Sequence, residues 1–417
     1  MKTSISILVF FLLPIASWSQ QQITLETCYQ LVSENYPLVK QKALLESKNE
    51  LELKAIDAGK LPQFDFDAQA AYLSDVTQVP LPNTGVEPPN NDQYRATLSV
   101  NQLIYNGGSI DASSKVKMAQ LKTQQKQLEV SLYQLKQQVN QLYFSILLSD
   151  ESVHLLKTKQ TQLESKLKEV KSGIQYGTIL PSSDKVIEAE LLRIRQQFSE
   201  INNNKKVLVK TLSSLIGQSL DESTKFQEPQ ISTNLTPTVQ RPEMELFQLK
   251  KEEIESQEQL IQKENIPKLL GFASGGVGNP GLNMLDNSFQ PFYTVGVKLN
   301  WNVFDWNANK KKRESLLIHK DIIDNETEIF QLNTHIELNQ YETEILKISE
   351  NILIDSEIIS LRKDVLSATE SQLRHGVITT STYITELTNL FEAENMLVTH
   401  HIQLELAKAN YNITQGQ

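Results

Sequence analysis

The segment Gly276-Val277-Gly278-Asn279-Pro280-Gly281 spells the glycine pattern of a dinucleotide-binding turn. Such a turn holds a pyrophosphate only if a helix starts inside it and offers its free N–H groups. Pro280, Gly281, Asn283 and Asp286 instead predict a loop, so no nucleotide site is read here. The six histidines, His154, His319, His335, His375, His400 and His401, include no pair at i, i+4, and the one cysteine, Cys28, completes no zinc pattern. They read as solvated helix positions. His375 is set apart because it stands beside Arg374 at a helix end, within reach of a protein partner or a proton. The serines and threonines near the helix ends lack a neighbouring base that would make one a nucleophile. The cations Lys205-Lys206 and Lys310-Lys311-Lys312-Arg313 read as solvated, the second group also as a candidate contact for lipid headgroups. With no catalytic residue, metal ligand or cofactor site emerging, the reading is not of an enzyme.

The elements around these residues are long. Only 15 Gly and 14 Pro occur in 417 residues, which favours extended helices over compact turns. The net charge of −10, with no concentrated cationic stretch, speaks against a nucleic-acid partner. Lys2, an apolar run from Ile5 to Ala16 and the small residues of Ser17-Trp18-Ser19 predict a secretory signal over 1–19, cleaved before Gln20. That run is too short for a membrane span, which needs roughly 20 residues. Cys28 is expected on the inner face of a first helix with Leu25, Leu31 and Val32. In the absence of another span-length apolar stretch, any entry into a membrane must be as β-strands.

The chain repeats itself. Pro37 recurs as Pro242, and Lys60-Leu61-Pro62 as Asn265-Ile266-Pro267, both displaced by 205 positions. Leu103-Ile104-Tyr105-Asn106 recurs as Asn302-Val303-Phe304-Asp305, and Tyr176-Gly177 as His375-Gly376, both displaced by 199. A first repeat over 20–217 and a second over 242–417 are thus joined by a polar linker or belt over 218–241. Each reads helix, two strands, very long helix, turn, returning helix. The first helix is expected over Leu25 to Ala58 without a break. The first long helix, with a seam through Leu128, Leu132, Leu135, Val139, Leu142 and Ile146, runs about 63 residues and so about 95 Å. The second has a rougher seam through Ile345, Ile348 and Ile352.

The strands alternate with period two. One face carries Phe64, Phe66, Tyr72, Leu98, Val100, Tyr293, Val295, Val297, Leu299 and Trp301, the other Gln63, Asp65, Asp67, Arg95, Thr97, Ser99, Thr294, Lys298 and Asn300. The remaining strand is expected near Leu270 to Ser274. Lengths of about ten residues suit a tilted crossing of an outer membrane, with the first set toward lipid and the second toward a lumen. Asp65 and Asp67 would bias that lumen toward cations. Since four strands cannot close a barrel and an open edge is not tolerated in lipid, copies of the chain must share one. A dimer would give eight strands, filled by their own side chains, whereas three copies leave a pore.

Taken together, Ile23-Thr24-Leu25-Glu26-Thr27-Cys28 through Asn35-Tyr36-Pro37-Leu38, Lys60-Leu61-Pro62-Gln63, Asn101 through Gly108, and the turns Tyr176-Gly177 and His375-Gly376 resemble the TolC-like outer-membrane efflux protein family over nearly the whole chain past the signal. The resemblance implies an α+β membrane protein of the Gram-negative outer membrane that extends into the periplasm. It further implies a homotrimer with a twelve-strand β-barrel, a long helical coiled-coil barrel and no cofactor. A periplasmic adaptor, and through it an inner-membrane pump, would meet the helix tips at Tyr176, Gly177, Asp184, Arg374, His375, Gly376 and Thr382. The implied role is a passive exit duct of a tripartite efflux pump. A type I protein-secretion channel and a pore-less periplasmic coiled-coil scaffold are the alternatives, the scaffold disfavoured by the two equal halves. Two departures stand out. The acidic residue the family often places six positions after the tip glycine is Asp184, seven after Gly177, in one tip and Thr382 in the other; with Glu188 and Glu386 198 apart, the first tip is expected to hold one extra residue. Trp306-Asn307 also replaces Gly107-Gly108, so the second strand-to-helix corner is expected to be built differently.

Overall fold

The computed structural model describes residues 22–78, 88–234 and 239–417. The expected signal, the middle of the first strand-to-strand loop and part of the linker lie outside the described residues. The chain forms two compact units, one from the residues up to Tyr36 with Gln134–Pro237 and Glu337–Gln415, the other from Pro37–Tyr133, Thr238–Ile336 and Gly416–Gln417. The elements in order are β1 (Gln22–Ile23), α1 (Leu25–Asn35), α2 (Lys40–Ala58), β2 (Gln63–Tyr72), β3 (Asp92–Tyr105), α3 (Ser109–Gln175), α4 (Ser183–Ile216), β4 (Lys225–Phe226), α5 (Pro242–Glu264), β5 (Lys268–Asn279), β6 (Gln290–Asn300), α6 (Ala308–Arg374) and α7 (Thr380–Gln415).

The single first helix expected over 25–58 is two. Tyr36 is extended, with φ −61° and ψ 137°, and a short 3-10 turn over Pro37–Val39 precedes α2. The ring of Pro37 disfavours helical backbone at the residue before it, which ends α1 there. The equivalent Pro242 opens α5 at its first turn, after an extended Arg241, so the recurring proline starts a helix in both repeats.

In the first unit, Leu25, Cys28 and Val32 of α1 are buried with Val139, Tyr143 and Ile146 of α3 and Leu212 and Ile216 of α4. Burial pushes the Cys28 thiol up to about 12, with Glu26 adding to the rise, so it packs as a neutral group. β1 pairs in parallel with β4, and the buried Tyr143 hydroxyl lies 2.9 Å from the carbonyl of Ile23 and 2.6 Å from that of Gln227, to which it donates. Farther along the linker, Glu405 accepts from the Ile231 amide at 2.9 Å and the Asn412 amide group donates to Ser232 at 3.0 Å. The described part of the linker is therefore strapped to helices at Ile231 and Ser232. α3 and α6 are each 67 residues long.

In the second unit, β2, β3, β5 and β6 form one antiparallel sheet in that order. β5 exceeds the expected Leu270 to Ser274 and takes in Gly276 to Asn279, so the first four residues of the glycine motif are strand and not loop. A Cβ on Gly276 would lie 2.2 Å from the Ala96 carbonyl oxygen, so glycine here permits close approach of β3. At the corners, Gly107 and Gly108 take φ of 68° and 79°, and Trp306 and Asn307 take φ of 53° and 63°. The second corner thus has the same left-handed backbone as the first, contrary to the sequence expectation, although a non-glycine residue in that conformation costs roughly 1–2 kcal/mol.

Candidate functional site: helix tips and sheet faces

Each long helix ends in the same hydrogen-bonded turn. Gly177 has φ 75°; its amide donates to the Ile174 carbonyl at 3.1 Å, and that of Thr178 to Gly173 at 2.8 Å. Gly376 has φ 70°; its amide donates to Leu373 at 3.1 Å, and that of Val377 to Gln372 at 2.9 Å. This is the Schellman termination, which favours glycine at the left-handed position. The loops that follow are 176–182 and 375–379, so by helix bounds the first tip is longer by two residues, not the one expected. The added length includes Ser182, left-handed at φ 71° and without a side-chain cap on α4. In the second tip, Thr379 accepts from the Thr382 amide at 3.3 Å, so Thr382 takes part in starting α7.

The two tips meet around a cavity of about 360 Å³ whose lining includes Ile174, Gly177, Ile179 and Leu180 from the first and Leu373, Gly376, Ile378 and Thr380 from the second. Of the residues named from sequence, Gly177 and Gly376 line it, while Tyr176, Arg374, His375 and Thr382 are exposed and Asp184 is half-buried. His375 Nδ1 donates to the Ser371 carbonyl of its own helix at 2.8 Å. Glu188 bridges Lys171 at 2.8 Å and Lys185 at 2.7 Å. Hydrogen bonds from these lysines hold its carboxyl down to about 2. A depressed carboxylate stabilises the folded state above its unfolded pKa and loses that contribution as pH falls through the folded one. A carbon-13 titration of Glu188 should show a midpoint near 2, rising to the ordinary carboxylate range in Lys171→Ala/Lys185→Ala; an ordinary midpoint in the parent would contradict the bridge.

Sequence reasoning missed what joins the two hairpins. Lys159 and Lys166 occupy seam positions of α3, in the series Leu156, Lys159, Leu163, Lys166, Val170. The Lys159 side chain is 4% exposed. Its Nζ donates to Glu190 of α4 at 2.8 Å and to Thr388 of α7 at 3.2 Å, and lies 4.9 Å from the centre of the Phe391 ring. Lys166 donates to Glu169 at 2.7 Å and Glu370 of α6 at 2.6 Å, over the Tyr383 ring. Burial pulls the Lys166 ammonium down, but its two carboxylate bonds outweigh this and leave it raised. Lysines at seam spacing were the available signal. His400, read as solvated, is half-buried and donates from Nδ1 to Asp355 at 2.5 Å.

The sheet carries an apolar face, whereas the opposite face is polar along β2 and also holds Phe272, opposite Asn101, and Phe292, opposite Gly276. Phe64 lies opposite Val100, Phe66 opposite Leu98, and Leu269 opposite Leu299, while Asp65 lies opposite Ser99 and Asp67 opposite Thr97. The apolar side chains are exposed, Tyr293 by 81% and Val295 by 73%. β2 and β6 each pair along one edge only among the described residues. Register also places Arg95, Lys268 and Lys298 on the face of Asp65 and Asp67, so the two aspartates do not set its sign. Lys310 and Lys311 share Glu314, Lys312 pairs with Glu264 and Arg313 with Glu258, so three glutamates offset most of the charge of these four cations. Among the described residues no group of acidic, His or Cys side chains could hold a metal, and no helix is long and apolar enough to cross a membrane.

The family model described as Outer membrane efflux protein matches residues 28–218. Among solved structures, the outer membrane protein VceC of Vibrio cholerae shares 13% identity with a TM-score of 0.66, covering 94% of this chain and 96% of that one. The CmeC outer membrane channel of Campylobacter jejuni shares 15% identity with a TM-score of 0.66, covering 94% and 85%. The open-state MtrE outer membrane channel of Neisseria gonorrhoeae shares 13% with a TM-score of 0.65, covering 94% and 89%. Among curated proteins none matches the sequence significantly. The resemblance read from sequence and the α+β fold both hold.

Proposed function

For a chain that carries the outer membrane efflux protein domain over residues 28–218 and the fold of TolC-like outer-membrane channels, we propose a passive exit duct of a tripartite efflux pump. Three copies pool their sheets into a twelve-strand barrel in the outer membrane of a Gram-negative bacterium, and the long helices continue the duct into the periplasm. The observation that supports this reading is the four-stranded sheet with an exposed apolar face and, among the described residues, two unpaired edges. In water such a face and such edges invite aggregation, whereas in lipid the face is solvated and the edges close on further copies. The polar face then lines the lumen, from Gln63, Asp65, Asp67, Arg95, Thr97, Ser99, Thr294, Lys298 and Asn300.

The tips around Gly177 and Gly376 are the gate and the contact for a periplasmic adaptor, with Tyr176, Asp184, Arg374, His375 and Thr382 on the contact surface. Lys159 and Lys166 hold the resting state by tying one hairpin to the other. The chain performs no catalysis; the pump supplies the work. Planar-bilayer recording tests this. The parent should give rare, small openings, and Lys166→Ala should raise the open fraction by about tenfold, the effect of removing ~1.4 kcal/mol of bias, within the ~1.5–3 kcal/mol range for hydrogen bonds to charged groups. Absence of any conductance from parent and variant alike would contradict the duct.

A further inference from the structure

The corner between β6 and α6 holds a residue that its counterpart excludes. In the first repeat the position is Gly107, where a Cβ would lie 2.4 Å from Ile266 Cγ2. In the second it is Trp306, left-handed at φ 53° and 83% exposed. A bulky residue with positive φ is strained, and such strain persists where the side chain has a use. The ring packs edge-on against Phe304 with centroids 4.8 Å apart. Phe304 is the counterpart of Tyr105, which pairs with Leu269 and through it with Leu299 on the apolar face. Trp301 of that face already donates its indole N–H to the Asn265 carbonyl at 3.1 Å, whereas nothing among the described residues bonds that of Trp306. Trp306 therefore continues the apolar face at its α6 end and offers a large apolar ring with a free polar edge.

We propose that Trp306, braced by Phe304, is a lipid anchor that seats in the boundary between headgroups and acyl chains of one leaflet and fixes the depth of the sheet. An indole is suited to that boundary because its ring is apolar and its N–H remains hydrated. Glu314, Glu264 and Glu258 offset most of the charge of the four neighbouring cations, so the aromatic ring contributes more to the attachment than charge does. This inference rests on the reading of the sheet as membrane-crossing.

The test uses the full chain with Trp18→Phe and Trp301→Phe, which leaves Trp306 as the sole tryptophan. The protein is reconstituted into phosphatidylcholine vesicles carrying bromines either near the headgroup or near the end of the acyl chain. Trp306 fluorescence should be quenched strongly by the shallow bromines, weakly by the deep ones, and weakly by acrylamide in the water. A Trp306 quenched freely by acrylamide alone, or shielded from all quenchers by protein, overturns the anchor. Parent protein that fails to float with vesicles removes the membrane-crossing reading and the anchor together, while flotation with an unquenched Trp306 removes only the anchor. Trp306→Gly, whose backbone Gly107 already adopts, should fold and float as the parent does when Trp301 is kept as the reporter, and the shallow-to-deep quenching ratio of Trp301 should differ from that in Trp306→Tyr, which keeps an interfacial ring; an equal ratio also overturns it.

Discussion

Arginine in place of Val295 should destabilise the assembled protein in lipid by about 2–4 kcal/mol per chain, the range for a cationic side chain at the bilayer midplane. Val295 sits in the middle of β6, 73% exposed, on the apolar face and opposite Ala273. Arginine in place of Thr97, which lies opposite Asp67 and Gly276 on the other face, should change stability by less than about 1 kcal/mol, because a charge on a water-filled side keeps its hydration. Urea midpoints of the two variants in vesicles measure the difference. In a soluble sheet both positions would be exposed to water and the two substitutions would act alike, so equal effects would contradict the assignment of the faces.

Removing Glu190 should be the most damaging single change near the tips. Glu190→Ala leaves the Lys159 ammonium, 4% exposed, with the Thr388 hydroxyl as its polar partner among the described residues. Breaking one side of a buried ion pair costs about 3–5 kcal/mol because the remaining charge has lost both water and its counter-ion. The double variant Lys159→Met/Glu190→Leu should be close to neutral, since apolar side chains of similar volume need no desolvated charge. Denaturation midpoints of the parent, Lys159→Met, Glu190→Leu and the double give the coupling directly, and additivity would show that the pair carries no net interaction. Hydrogen exchange of amides around Ile187 and Leu191 should rise in Glu190→Ala and remain near the parent in the double variant.

The architecture was readable because its signals are periodic or duplicated. Alternation in Gln63 to Tyr72 named both faces of β2, and the register of the sheet keeps Phe66 with Leu98 and Asp67 with Thr97. The recurring Tyr176-Gly177 and His375-Gly376 marked two helix ends with the same left-handed glycine. What stayed hidden depends on partners distant in sequence. Lys159 reads as a solvated cation until Glu190 and Thr388 are brought to it from α4 and α7, and His400 until Asp355 is placed beside it. β5 is only partly legible because Gly271, Gly275, Gly276 and Gly278 erase its alternation; at Gly276 and Gly278 the backbone of neighbouring segments comes too close for a Cβ. The second corner departs from the sequence expectation because Trp306 and Asn307 hold the left-handed backbone that a Gly-Gly pair supplies at the first.

The central claim is that the sheet is one part of a barrel shared among copies. The most direct measurement is the native mass of the protein purified from membranes in detergent. A particle of three subunit masses that dissociates only when the sheet unfolds is the predicted result, as expected when β6 of one copy pairs with β2 of the next. A monomer recovered without detergent from the soluble periplasmic fraction would contradict it, since the apolar face and both edges would then be stable in water.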